Sequence, residues 1–349
     1  MGETGYVLPM LTVAIAGATG AVGDEFLAVL AERRFPVGRL IPLASSRSVG
    51  RTVRFGGKDH PVADLATFDF KGVDVAFFSA GADRSRDHGP RAAKAGALVV
   101  DNSSAFRMDP AIPLVVPEVN LATITSKSGI VANPNCSTIL LVVVLAPILS
   151  HAAIRRIVVS TYQAVSGSGA KGLLELSRQI EEERAGKAPT IEVYPKPITS
   201  NVIPFVQGFG DDGLTTEEWK MIKETRRILD RPALRVSSTC VRVPVRRAHS
   251  EAVNIEFERE VDPAEVRSWL AAAPGVRVVD DPSRMLFPTP REAEGGDDVL
   301  VGRIRRDPGL STAIDLWLTG DQLRKGAALN AVQIAERVLE TGPVAPGRG

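Results

Sequence analysis

The chain has 349 residues, and its 42 Lys and Arg nearly balance 41 Asp and Glu, for a net charge of +1. That balance excludes a global electrostatic pull toward nucleic acid or an anionic membrane. The length suits two domains and a core that needs no staples, and two cysteines exclude a disulfide framework and suit a reducing compartment.

Met1 to Met10 has no basic region followed by an apolar stretch. No signal peptide is therefore expected, and the folded part is expected to open near Met10. Leu11–Ala16 reads as a short apolar strand, followed by Gly17-Ala-Thr19-Gly20-Ala21-Val22-Gly23 and then a helical pattern with Phe26, Leu27, Val29 and Leu30 apolar. Strand, glycine turn and helix form the context in which a backbone can approach a pyrophosphate seated on a helix N-terminus. The alternative is a glycine-rich turn without a ligand. The second strand, Arg39–Leu43, leads to Ala44-Ser45-Ser46-Arg47-Ser48. An acid here would hold a ribose 2′-hydroxyl, whereas hydroxyls and an arginine suit a 2′-phosphate, so NADP is preferred over NAD. Val73–Phe78 is a buried strand ending in Ser79-Ala80-Gly81, small residues that admit a nucleotide at a strand's carboxyl end. A helix over about 83–95 and a strand over Ala97–Asp101 complete an alternation that predicts a doubly wound parallel sheet. Arg107, in the polar loop after Asp101, is a candidate anion ligand.

Asn133-Pro134-Asn135-Cys136-Ser137-Thr138 follows a strand-like run and precedes the apolar run Ile139–Leu149, which is too short to cross a bilayer. Cys136 is thereby placed at a helix N-terminus, where open N–H groups and the dipole favour a thiolate. A lone cysteine is more often small, buried and inert, but polar neighbours flank this one. Ile157–Tyr162 is strand-like and delivers Gln163, then Ser166-Gly167-Ser168-Gly169. A helix is expected over Leu173–Arg184, and a proline-rich irregular stretch over 188–213, wrapping a surface or an interface. Thr215, with Glu218 three residues on, reads as a capping box. Glu217 and Lys220 share one helix face and could hold a zwitterion and an anion. Cys240–Arg246 alternates, with Arg242 opposite the valines, and Pro244 suggests an edge strand or a bulge. His249 follows. Strands at Val253–Phe257, Val299–Ile304 and Thr312–Leu318, without regular intervening helices, suggest a mixed or antiparallel second sheet. A last helix is expected over Asp321–Leu339, packing back on the first domain, with a disordered tail at 342–349.

Taken together, Gly17–Gly23, Asn133–Ser137, Gln163–Gly169, Glu217–Lys220, Arg242-Val-Pro-Val…His249 and Leu323–Asn330 resemble the aspartate-semialdehyde dehydrogenase family from about Leu11 to Leu339. The resemblance implies an α/β protein: a Rossmann-type NADP-binding domain over 1–135, an α+β catalytic and dimerisation domain over 136–320, and a C-terminal helix over 321–341. It implies interconversion of L-aspartate 4-semialdehyde, phosphate and NADP⁺ with 4-phospho-L-aspartate and NADPH, on the way to lysine, threonine and methionine. By similarity Cys136 is the nucleophile forming an acyl-thioester, His249 the general acid/base and Gln163 the residue orienting the intermediate. Arg242 matches the ligand of the substrate carboxylate and Glu217 that of its amine, with Arg107, Lys220 and Asn135 on the phosphate side. Thr19 to Val22, Arg47, Ser48, Ser166, Gly167 and Gln322 match cofactor contacts, joined by Gly17, Ser45, Ser79 and Gly81. A cytoplasmic homodimer or homotetramer acting on a small molecule is implied, with no nucleic acid, membrane or metal partner; no Cys/His ligand spacing is present.

Three rivals use parts of the same pattern. An N-acetyl-γ-glutamyl-phosphate reductase shares the cysteine chemistry, but its acylated substrate nitrogen would leave Glu217 without purpose. Glyceraldehyde-3-phosphate dehydrogenase would carry an acid after the second strand and a different cysteine context. A non-catalytic dinucleotide-binding regulator would keep the glycine loop without Cys136, Gln163, Arg242 and His249.

Overall fold

The computed structural model describes residues 9–125 and 129–341. The expected tail at 342–349 and most of the expected ragged start lie outside the described residues. The chain divides into two compact units, residues 1–134 with 328–349, and residues 135–327.

The first unit runs β1 (Leu11–Ala16), α1 (Ala21–Glu32), β2 (Val37–Ala44), β3 (Thr52–Phe55), β4 (Lys58–Pro61), β5 (Ala63–Asp64), β6 (Val75–Phe78), α2 (Ala82–Lys94), β7 (Leu98–Asp101), α3 (Pro117–Asn120) and β8 (Ile130–Ala132). Six strands form one sheet in the order β5-β2-β1-β6-β7-β8, and every pair is parallel. The strands are apolar on both faces, as a sheet covered on both sides requires: β6 and β7 are buried at every position. β3 and β4 form a separate antiparallel hairpin, which the alternation of polar residues there did not announce. Strand order reverses direction between β1 and β6, so the loops at their carboxyl ends flank a switch point.

The second unit runs α4 (Cys136–Leu149), β9 (Ile154–Gln163), α5 (Gly169–Arg184), α6 (Thr216–Ile228), β10 (Arg235–Arg242), β11 (His249–Phe257), α7 (Pro263–Ala271), β12 (Val276–Val278), α8 (Pro290–Ala293), β13 (Val299–Arg306) and β14 (Ala313–Gly320). Its sheet, β10-β9-β11-β14-β13-β12, is mixed: the two outer pairs are parallel and the three inner pairings antiparallel. α4 is apolar all round and is buried from Ser137 through Leu145, as a helix inside a core must be.

Three expectations need correction. Regular helices do intervene between the strands, since α7 separates β11 from β12. β10 begins at Arg235 and stops at Arg242, so Pro244 falls beyond the strand rather than within it. The last helix does not start at Asp321. Asp321 Oδ1 accepts the N–H groups of Leu323 (2.9 Å) and Arg324 (3.3 Å), a π-helical turn spans Arg324–Ala328, and α9 (Leu329–Thr341) follows. α9 belongs to the first unit, where Leu329, Val332, Ile334 and Val338 join Val13, Ile15 and Phe77 in one core. Each such apolar side chain contributes roughly 1.5–3 kcal/mol on burial.

Candidate active site

Of the cofactor-side residues, Gly17, Thr19 to Val22, Ser45, Arg47, Ser48, Ser79 and Gly81 lie in the first unit, at the carboxyl ends of β1, β2 and β6, whereas Ser166, Gly167 and Gln322 lie in the second. Register aligns Ala16 with Leu43 and with Phe78, so the three following loops leave the sheet at one level. Gly17 N–H donates to Leu43 O (2.8 Å), and Gly20 N–H to Gly17 O (3.1 Å). Gly20 is the N-cap of α1 and brings no side chain to close the first turn, into which Ala21 and Val22 lead. Thr19, Ser45, Ser48 and Ser79 are half-buried, and Gly20, Arg47 and Gly81 exposed, so the rim of these loops is open. Ser45 caps a short 3-10 turn over Ser46–Ser48, and no carboxylate occupies that turn. An open helix N-terminus ringed by hydroxyls and one guanidinium fits the phosphates of a dinucleotide.

Arg107 also belongs to the first unit. It is buried, and donates from Nε to Asn133 O (2.9 Å) and from Nη2 to Asn102 O (2.9 Å). Asn133 Nδ2 donates to Asn102 Oδ1 (2.6 Å), and Asn330 Nδ2 donates to Asn133 Oδ1 (2.6 Å) and Val115 O (3.0 Å). An asparagine chain thus pins the loop holding Arg107 to the first turn of α9.

The catalytic-side residues lie in the second unit. Cys136 is the first residue of α4 and is half-buried. Asn135 is the N-cap: its Oδ1 accepts from Ser137 N (3.0 Å) and Thr138 N (3.2 Å). Its backbone N–H donates to Glu224 Oε2 (2.6 Å) and its Nδ2 to Glu217 Oε1 (2.8 Å). Both acids come from α6, whose capping box of Thr215 and Glu218 sets the helix start. Glu224 was not singled out from the sequence, although its spacing of seven from Glu217 places it on the same helix face. Against Cys136 lies Gly326, where a Cβ would come 3.0 Å from the Cys136 Cβ.

Glu217 is the hub. Besides Asn135 it accepts from Gln163 Nε2 (3.3 Å) and from Lys220 Nζ (3.2 Å), and Lys220 also donates to Gln207 Oε1 (2.6 Å). Burial pushes the Glu217 carboxyl up, but the Lys220 charge, the Asn135 and Lys220 hydrogen bonds and Arg242 outweigh it and hold the group below the usual range. Ala164 is the second junction. Its carbonyl accepts from Arg242 Nη1 (2.6 Å) and its N–H donates to His249 Nδ1 (3.0 Å). A backbone N–H can only donate, so the neutral His249 carries its proton on Nε2. Burial, then Arg242, holds His249 well below its ordinary pKa, and among the described residues Nε2 has no partner. Gly167 allows this packing: a Cβ there would lie 3.0 Å from Arg242 Nη1 and 3.2 Å from His249 Cε1.

The irregular stretch 188–213 closes over this corner. Ile203 and Arg242 exchange both backbone hydrogen bonds (2.9 and 2.8 Å), which covers the edge of β10, and the Tyr194 ring stands 5.9 Å from the Arg242 guanidinium. Gln322 is buried, accepting from Ala248 N (2.8 Å) and donating to Ser166 Oγ, so both ends of its amide serve the protein. The two cysteines differ sharply. Cys240 is fully buried, and burial with the Glu217 charge pushes its thiol up to about 12.

Residues 12–127 match the family described as semialdehyde dehydrogenase, NAD binding domain, and residues 145–325 that described as semialdehyde dehydrogenase, dimerisation domain. The chain is 50% identical over 334 residues to the aspartate-semialdehyde dehydrogenase of Aquifex aeolicus, covering 95% of this chain and 98% of that protein. The enzyme of that name from Legionella pneumophila is 51% identical over 329 residues, covering 93% and 95%. Among solved structures, aspartate semialdehyde dehydrogenase II of Vibrio cholerae complexed with ASA aligns with a TM-score of 0.92 at 45% identity, covering 95% of this chain and 99% of that one. The Candida albicans enzyme with NADP aligns with a TM-score of 0.76 at 25% identity, covering 96% and 100%. With both domains matched and half of its residues shared with such relatives, the chain belongs to the aspartate-semialdehyde dehydrogenase family of oxidoreductases.

Proposed function

We propose that the chain reduces 4-phospho-L-aspartate to L-aspartate 4-semialdehyde with NADPH, through an acyl-thioester on Cys136. The observation that carries this reading is the linkage of Asn135, Gln163, Glu217, Lys220, Arg242 and His249 through two junctions, the Glu217 carboxylate and the Ala164 peptide. The Vibrio cholerae relative complexed with ASA supports the substrate class.

Arg242 grips the substrate α-carboxylate, and the Ala164 and Tyr194 contacts hold the guanidinium in place for it. Glu217, kept ionised, receives the ammonium group. Lys220, with Arg107 and Asn135, serves the phosphate side. Lys220 is bound to Glu217 in the free protein, so an arriving zwitterion competes with Lys220 at one carboxylate oxygen and turns its Nζ toward the phosphoryl group. Cys136, in the first turn of α4, attacks the acyl phosphate and expels phosphate. Gln163 orients the resulting thioester. A bound nicotinamide dinucleotide supplies the hydride that reduces it. His249, neutral and with its proton on Nε2, gives a hydrogen bond to the carbonyl oxygen as charge gathers there and keeps that proton; collapse of the tetrahedral alkoxide then breaks the C–S bond and returns Cys136 as a thiolate. Taking up a proton at Nδ1 would require the ring to leave Ala164, so donation from Nε2 is its role in this geometry.

The preference for NADP rests on Ser45, Arg47 and Ser48 without an acid beside them, and on the Candida albicans relative with NADP. Assembly as a homodimer or homotetramer is supported by the match to a dimerisation domain. The outward face of the second sheet is the surface for it, where Tyr162, 37% exposed, stands 5.2 Å from Trp317. Among the described residues no helix is long and apolar enough to cross a membrane. Cytoplasmic residence is supported by two free thiols, which suit a reducing compartment.

The test is NADPH formation from L-aspartate 4-semialdehyde with and without phosphate. A strong phosphate requirement is expected. Turnover only with the N-acetyl-glutamate semialdehyde would move the chain to the neighbouring reductase, and tight NADPH binding without turnover would favour the regulator.

A further inference from the structure

Glu224 of α6 has no part in the chemistry above. It is 2% exposed, and its Oε2 accepts the backbone N–H of Asn135 at 2.6 Å, one residue before Cys136. Glu217, Met221 and Glu224 follow one another at i, i+4 and i+7, so one face of α6 carries all three. Each meets the start of α4. Glu217 Oε1 accepts from Asn135 Nδ2 (2.8 Å), Met221 Sδ from Thr138 Oγ1 (3.5 Å), and Glu224 from the Asn135 peptide. Asn135 in turn closes the first turn of α4: its Oδ1 accepts from Ser137 N and Thr138 N, and its carbonyl from Ile139 N (2.9 Å).

The two acids hold different parts of Asn135. Glu217 holds the side chain. Glu224 holds the peptide N–H and so fixes the main chain that enters Cys136; the bond is short for an N–H···O contact. α6 is itself anchored, by its capping box and by the Cys240 N–H of β10, which donates to Glu218 Oε1 (3.0 Å). Gly326 also stands against Cys136, where a Cβ would lie 3.0 Å from the Cys136 Cβ and 3.3 Å from its Cα. The Cys136 backbone therefore has little room to shift.

We propose that Glu224 is a positioning residue for the nucleophile: by anchoring the Asn135 peptide to α6, it holds Cys136 where its sulfur can attack a substrate gripped by Glu217 on the same helix face. The inference rests on the reading of Cys136 as the nucleophile and of Glu217 as the ammonium ligand. One helix face then serves both reacting partners. Glu217 fixes the substrate, and Glu224, seven residues and about 10.5 Å of helix rise further on, fixes the chain that bears the thiol. Their separation is set by one rigid element rather than by two independent loops. An acceptor that merely satisfied a buried N–H would leave the turnover of the folded protein unchanged.

The experiment measures oxidation of L-aspartate 4-semialdehyde with phosphate and NADP⁺ by full-length Glu224→Ala, Glu224→Gln and Cys136→Ala proteins. Thermal midpoints and the rate of Cys136 alkylation by iodoacetamide are read alongside. A nucleophile misplaced by about 1 Å costs about 10²-fold, so Glu224→Ala should lose about that much kcat, with KM for the aldehyde changed by less than about threefold. Glu224→Gln keeps an oxygen that can accept the Asn135 N–H, and should recover kcat to within about fivefold of the parent protein. Alkylation needs no bound substrate, so its rate should stay within about threefold wherever Cys136 is present. Full turnover by Glu224→Ala at a lowered thermal midpoint would make Glu224 a structural acceptor and overturn the proposal. A fall in alkylation equal to the fall in kcat would overturn it as well, by assigning Glu224 to the reactivity of the thiol. So would a loss in Glu224→Gln as deep as in Glu224→Ala, since the bond to Asn135 would then not be what matters. Turnover by Cys136→Ala would remove the nucleophile reading itself, whereas an inactive Cys136→Ala beside a fully active Glu224→Ala would remove only the role of Glu224. If Glu224→Ala does not fold, Glu224→Asp, which draws the carboxyl group back by one methylene, decides in its place. A kcat loss of at least about tenfold at unchanged KM is expected there, and full kcat overturns the proposal.

Discussion

The two functional regions are built from opposite materials. The cofactor side is a rim of backbone turns and small side chains at the ends of β1, β2 and β6, with Arg47 exposed and Ser45 and Ser48 half-buried. The catalytic side is a buried network in which Glu217, Arg242 and His249 are each at most 6% exposed and each tied to another part of the second unit. A rim of N–H groups binds phosphate by shape and dipole, and tolerates solvent. A buried set of charges must be neutralised internally, so each member depends on the others. Substitutions on the two sides should therefore differ in size and in what they spare.

The largest effect is expected at the nucleophile. Cys136→Ala should lower turnover by on the order of 10⁴-fold or more while NADPH binding is kept. Substantial residual activity, read from absorbance of the reduced nicotinamide, would remove Cys136 from the mechanism. Arg242→Leu should come next. Taking away one partner of a buried, hydrogen-bonded charge costs about 2–5 kcal/mol, which should appear in kcat/KM for the amino-acid substrate and not in the Kd of NADPH. Equal damage to both would mean that Arg242 holds the fold rather than the substrate.

Arg47→Ala tests the open rim. Loss of a charge-assisted hydrogen bond is worth about 1.5–3 kcal/mol, so NADPH should bind roughly tenfold to a hundredfold more weakly with NADH little affected. Parallel weakening of the two cofactors would assign Arg47 no part in reading the 2′-phosphate. The thiols give a direct contrast inside the second unit. Iodoacetamide should label Cys136 at neutral pH and leave Cys240 unmodified until the protein unfolds, because the Cys240 thiol is pushed up to about 12 and is fully buried. Mass spectrometry of the alkylated peptides reads the ratio.

The smallest effect expected is on stability. Glu251 is raised well above its unfolded value of 4.5 by burial and by Glu217. The folded state then binds a proton that the unfolded chain has lost. Its favourable contribution is complete below the unfolded pKa and is lost as pH rises from there through the folded pKa. Glu251→Gln removes that loss. It should raise the thermal midpoint at neutral and mildly alkaline pH, by an amount equivalent to about 1–3 kcal/mol, and the gain should vanish toward pH 4.5. A midpoint difference independent of pH would mean that Glu251 is ionised in the folded protein.

The sequence by itself determined what depends on a few neighbouring residues. Gly17 to Gly23 between a strand and a helix, Cys136 at the head of an apolar run, and Thr215 with Glu218 are local signals, because turns and caps are made within four residues. Burial on both faces of β6 and β7 was legible for the same reason: a doubly covered strand is a continuous apolar run. The family resemblance extended this to Gln163, Arg242 and His249, whose local surroundings alone point to no role. Only the tertiary structure decided which groups meet. Glu224 reaches the Asn135 N–H across 89 residues, and Ala164, a residue with no functional side chain, joins Arg242 to His249 through its peptide group. The pairing of Ile203 with Arg242 gives the irregular stretch its place on the edge of β10. Asn330 finds Asn133 and Val115 only because α9 returns to the first unit. Burial is likewise a property of the assembled sheet: Glu251 reads as an ordinary polar strand residue, yet beside Thr161 of β9 it is fully buried. The physical reason is range. Capping and periodicity act over one or two turns of chain, whereas desolvation and charge compensation depend on everything within a few ångströms, whatever its position in the sequence.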